Sequence, residues 1–181
     1  MDSVVTPMGE PRSIADRLRH ELTSIRKELV EEVARIPEDG FTWAPAEGMK
    51  PYRDLLLEIG TMERETATFL STGRVPEWQP MWDSLAERAQ SPSSLMKAME
   101  ADRADILRYL DEADDERFRT TLPIPQDWHE LFGAPALEPE ELLRWISRHE
   151  YYHLGQIITY NWIRGDNPYK RGAASGQGSS G

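Results

Sequence analysis

Four stretches of this chain repeat their apolar residues at steps of three and four, a spacing that few folds other than a bundle of helices can use. In the first, Leu18, Leu22, Ile25, Leu29, Val33 and Ile36 fall on one stripe. Ser13 is placed to cap that helix and Asp16 stands near the positive end of its dipole, so it is predicted to run from Ile14 to Arg35. Pro37 and Glu38-Asp39-Gly40 stop it. The second helix starts at Pro51, suited to a first helical position, and reaches about Leu70 before Gly73 ends it. Leu55, Ile59, Met62, Thr66 and Phe69 form its inward stripe, with Glu58 on the edge. The third opens at Ser91-Pro92, carries Leu95, Met99, Ile106, Tyr109 and Leu110, and fades between Asp111 and Glu116. The fourth runs from Pro139 to about Arg164 and closes on Gly165.

The connections are less regular. Residues 74–90 carry Trp78, Pro80 and Trp82 and read as a packed connection with room for a short helix. Residues 117–136 hold Pro123, Pro125 and Pro135 and read as a long loop, with a short extended piece at Phe118 to Ile124. No convincing strand alternation and no internal repeat compete. The expectation is an all-α fold, a four-helix bundle with long loops between helices 2 and 3 and between helices 3 and 4. The bundle should span residues 13–168, with a flexible stretch at 1–12 and a disordered Gly/Ser-rich tail at 169–181.

Composition narrows the chemistry. The 181 residues contain no cysteine, which excludes disulfides, thiolate nucleophiles and Cys-ligated metals. A tight metal site must therefore use His, Asp or Glu. The net charge of −11 repels phosphate backbones, and no basic stripe faces a membrane. No run approaches the roughly 18 apolar residues of a membrane span, and Met1 to Glu10 has neither the basic start nor the apolar stretch of a secretory signal. These features predict a cytoplasmic protein with a small-molecule partner rather than nucleic acid or membrane.

Two of the four histidines, His149 and His153, sit four residues apart on the inward stripe Leu142, Ile146, His149, His153, Gln156, Tyr160. Positions four apart stack on one helix face with β-carbons about 5–6 Å apart. Two imidazoles so placed can share a divalent ion, at about 2.0–2.1 Å each. The other reading is two core histidines satisfied by hydrogen bonds. Two stacked neutral rings are hard to satisfy that way, because each brings a donor and an acceptor. Glu58 adds a carboxylate beside Leu55, Ile59 and Met62, where an isolated charge is costly to desolvate. Two His and one carboxylate would leave open coordination positions. The alternative for Glu58 is a rim residue reaching solvent or pairing with Arg. Glu63 and Asp102 are further carboxylates able to ligate or support, each otherwise ordinary surface charge.

His149-Glu150-Tyr151-Tyr152-His153 also matches the H-E-x-x-H pattern of zinc peptidases, with Glu150 as general base. No His or Glu follows His153 to supply a third ligand, and the helical spacing points Glu150 about 100° away from His149 and off the bundle axis. His20 falls off its helix's apolar stripe, and His129 lies in a loop. Trp43, Trp145 and Tyr152 either fill core or line an apolar mouth above the ion.

Phe41-Thr42-Trp43-Ala44-Pro45-Ala46-Glu47-Gly48, then Tyr52 to Ile59 and Glu63, resembles the start of helix 2 in the DinB/YfiT-like family. His149-Glu150-Tyr151-Tyr152-His153-Leu154-Gly155-Gln156 resembles that family's last-helix signature. The resemblance implies a four-helix bundle, often a homodimer, whose zinc or nickel ion is held by three histidines, one from helix 2 and two from the last helix. It also implies an enzyme that uses a low-molecular-weight thiol as co-substrate in transfer or isomerisation, although many members have no known activity. His149 and His153 match the last-helix pair, and Glu58 falls where helix 2 supplies its histidine. A carboxylate there makes the site less positive and its bound water less acidic. Two functions stay open: a metal-dependent thiol transferase or hydrolase, and a non-catalytic helical bundle that serves interaction or stress with a structural or decayed site.

Overall fold

The computed structural model describes residues 13–171, and each long helix that the spacing predicts is present within about two residues of its expected ends. Helix α1 (Ile14–Val33) is capped by Ser13, whose side chain accepts the Asp16 N–H. Helix α2 (Tyr52–Thr72) follows Pro51 and ends on Gly73, whose left-handed φ of 70° suits glycine. Between it and the next long helix lies α3 (Trp78–Arg88), which buries Met81 and Leu85 and fills the connection where a short helix had room. Helix α4 (Pro92–Glu112) opens on a capping box in which Ser91 and Ser94 satisfy each other's backbone N–H groups.

The second connection is more structured than the long loop expected there. It holds α5 (Asp115–Arg119), capped by Asp114, and α6 (Gln126–Phe132). The extended piece expected at Phe118 to Ile124 shrinks to β1 (Leu122–Pro123), which pairs antiparallel with β2 (Ala136–Leu137). Phe118 is helical instead, because its ring is fully buried and packs edge-on against Tyr109 at 6.0 Å. Helix α7 (Pro139–Ile163) completes the bundle. The expected flexible stretch at 1–12 and residues 172–181 of the tail expected at 169–181 lie outside the described residues; the first part of that tail is described, with Pro168–Lys170 in a short 3-10 turn capped by Asn167 and Arg171 paired with Glu32 and Asp166.

Around the bundle the order is α1, α7, α2, α4, each packing on the next and α4 closing on α1. Helix α3 is laid against the outside of this ring, chiefly on α2. The apolar core divides into two clusters, one around Leu29, Leu56, Met99 and Ile157, the other around Leu18, Phe69, Ile106 and Leu143. Between them runs a layer of charge made of Arg26, Glu63, Arg103 and Glu150, one from each long helix and all buried. Among the described residues no helix is long and apolar enough to cross a membrane.

Candidate metal centre

On α7, His149 and His153 stand one turn apart and turn their Nε2 atoms to each other at 3.1 Å, ring planes 83° apart. His153 Nδ1 lies 2.6 Å from Gln156 Oε1, and Gln156 Nε2 in turn donates to the Tyr152 hydroxyl at 3.3 Å. An amide oxygen can only accept, so Nδ1 of His153 carries the proton and Nε2 is left with its lone pair toward the cleft. From α2, Glu58 brings Oε2 to 3.7 Å from His153 Nε2. One ligand atom from each of Glu58, His149 and His153 lies within 4.8 Å of the others.

That spacing suits an ion. Two nitrogens bound at about 2.0–2.1 Å with tetrahedral angles lie about 3.3 Å apart. The protonation state suits one too. Burial, then the neighbouring imidazole of His153, lowers His149 to about 4, and burial also lowers His153. Both rings are thereby kept neutral, the form that ligates. His153 is buried, while His149 and Glu58 are half-buried at the floor of an open cleft of about 650 Å³.

The cleft walls are apolar and aromatic: Met49, Leu55, Trp145, Tyr152 and Tyr160. Trp145 lies nearly parallel to His149, with ring centroids 6.4 Å apart, and Tyr152 meets His153 edge-on at 5.2 Å. The loop before α2 forms the remaining rim. Tyr160 holds it by donating to the Lys50 carbonyl at 3.2 Å, and Lys50 in turn is ion-paired with Glu58. Trp43 stays off the rim, packing on Tyr52 and Tyr160 beneath the Arg164 guanidinium.

Glu150, the general base of the peptidase reading, is not at the cleft. Its carboxylate turns inward, 1% exposed, and pairs with Arg26 and Arg103. The expectation that it points off the bundle axis fails because α7 buries a face wide enough to include Ser147, Glu150 and Leu154 as well as His153. Glu63 is likewise no surface charge, and it joins the same layer. Asp102 is half-buried between Arg64 and Arg88, away from the histidines. His20 is exposed, and His129 bonds the Ile124 carbonyl at 3.1 Å. Sequence reasoning missed Met49, Lys50 and Arg148 at the cleft, and nothing local marks a loop lysine as the partner of a carboxylate eight positions on.

The sequence model of the DinB superfamily matches residues 21–157 of the chain. Among solved structures, the crystal structure of a DinB-like protein (YjoA) from Bacillus subtilis aligns with a TM-score of 0.60 at 18% identity. That alignment covers 84% of this chain and 94% of the other. No curated protein matches. At such identity the likeness speaks for a shared fold alone.

Proposed function

We infer that this chain, which belongs to the DinB superfamily, holds a divalent metal ion between Glu58, His149 and His153 and uses it on a small molecule in the cleft. One observation carries the reading: two helices converge three ligand atoms within 4.8 Å at the floor of an open, aromatic-walled cleft. When bound, a zinc or nickel ion supplies a Lewis acid with open positions, which suits thiol transfer or hydrolysis.

The chain's own residues do the rest. Gln156 fixes the tautomer of His153, and Trp145 braces the ring of His149. Glu58 contributes negative charge and ties the site to α2. Met49, Leu55, Trp145 and Tyr160 thin the water around whatever enters, which strengthens polar contacts made there.

A second reading has an observation of its own. The Lys50–Glu58 pair satisfies the carboxylate without any ion, as a non-catalytic bundle with a decayed site would need. Metal content separates the two. Protein purified without a His tag should carry near-stoichiometric zinc or nickel by mass spectrometry, and Glu58→Ala, His149→Ala and His153→Ala should each lose most of it. An empty parent that also takes up neither metal on dialysis rules for the second reading.

A further inference from the structure

Lys50 and His153 approach the same atom. The lysine ammonium is ion-paired with Glu58 Oε2, and that oxygen is also the one 3.7 Å from His153 Nε2. An ion seated between Glu58 and the histidines would take the oxygen's charge, and Lys50 would lose most of its partner. Its side chain is 55% exposed on a flexible four-carbon stem, so it can swing without disturbing the fold. Its carbonyl, held by Tyr160, keeps the stem anchored at the rim. The other cation lining the cleft, Arg148, is engaged by Glu141 at 2.5 Å.

We propose that Lys50 is an anion receptor which metal binding unmasks, and that the cleft takes a small carboxylate with an apolar or aromatic body. The inference rests on the metal reading above. With the ion in place, the dication and Lys50 together outweigh the single charge of Glu58, leaving a positive floor in a chain whose net charge is −11. Met49, Leu55, Trp145, Tyr152 and Tyr160 give the body of such a molecule a surface to lie on. While metal is absent, Lys50 competes for Glu58 and suppresses both metal uptake and anion binding.

Zinc alone and then benzoate serve as probes, followed by calorimetry on the parent, Lys50→Met and Lys50→Arg. Lys50→Met removes a competitor and a repelling charge, so it should bind zinc about tenfold more tightly than the parent, with Lys50→Arg near the parent. Benzoate should bind the zinc-loaded parent, at least about tenfold more weakly to zinc-loaded Lys50→Met, and normally to Lys50→Arg. The metal-free parent should not bind it measurably. Zinc affinity that does not rise in Lys50→Met, or benzoate affinity indifferent to the substitution in zinc-loaded protein, overturns this inference and leaves the metal reading standing. A parent that binds no zinc overturns both.

Discussion

Arg26 on α1 and Glu150 on α7 meet at mid-bundle, Nε to Oε1 at 2.6 Å, in a layer of charge that separates the two apolar clusters. Arg26 also reaches Glu63 at 2.7 Å, and Arg103 pairs with both acids. Burial pushes both carboxyls up; at Glu150 the two arginines outweigh it and the net shift is down, while at Glu63 burial prevails. Because each long helix contributes one member, the layer sets their mutual height and with it the alignment of Glu58 on α2 with the histidines on α7.

Glu150→Gln keeps the volume and removes the charge that two buried arginines share. Breaking a buried pair from one side costs about 3–5 kcal/mol, and for a domain of this size that lowers Tm by on the order of 10 °C. Thermal unfolding followed by circular dichroism measures it. A drop of only one or two degrees would mean that water reaches the layer and the charges are screened.

How much of this was legible beforehand follows from what each signal reports. Helix ends were readable because Ser13, Pro51, Gly73, Ser91 and Pro139 act on their own neighbours. The short helices α5 and α6 were not, since their stability comes from contacts such as Phe118 on Tyr109 and Trp128 on Phe69. The charged layer was hidden by a rule that assigns inward faces by hydrophobicity. On α1 that rule put Ile25 on the stripe, whereas Arg26 is the buried neighbour. A signal existed nonetheless: Arg26 lies between Leu22 and Leu29, Glu63 between Ile59 and Thr66, Arg103 between Met99 and Ile106, Glu150 between Ile146 and Leu154. Two arginines and two glutamates in core register on four helices imply that they meet. The His149–His153–Glu58 grouping was legible because an i, i+4 pair is local, but the hold of Lys50 on Glu58 required the fold.

Gln156→Leu should separate the role of the amide from that of the helix. It keeps the apolar contact but deletes the acceptor that fixes the His153 tautomer. Loss of such a supporting hydrogen bond typically weakens metal binding about 10–100-fold. Zinc competition against a chromophoric chelator reads that change, with circular dichroism showing the helix intact. Unchanged affinity would mean that His153 finds its tautomer unaided.

Glu65 on α2 gives a pH dependence with a definite sign. Burial raises its carboxyl from 4.5 to about 7, in a small space lined by Trp128, Phe132 and Trp145. Between those values the native state holds a proton that the unfolded chain has lost. Stability therefore falls as pH rises from 4.5 to about 7 and is flat with respect to this group above that. Glu65→Gln should match the parent at the acid end of the window and exceed it by on the order of a few degrees in Tm above it. Paired melting curves at both ends suffice, and parallel curves across the window would discard the assignment.

Gly155 lies in the middle of α7 yet is exposed, and a β-carbon built there meets nothing within 4 Å. In a helix interior glycine costs about 0.5–1 kcal/mol relative to alanine, chiefly in backbone entropy. If the surface is free in solution, Gly155→Ala should raise Tm by about 2–4 °C and leave zinc uptake unchanged. Tyr151, Tyr152, Trp162 and Ile163 are exposed along the same helix, at 61%, 62%, 47% and 60%. A second copy packed closely over that surface would change the sign, because the added methyl would then meet the partner. Sedimentation of parent and variant at matched concentration tells the cases apart. A stabilised variant with unaltered mass means that α7 faces water here, and a destabilised variant of lower mass means that Gly155 is where two chains come together.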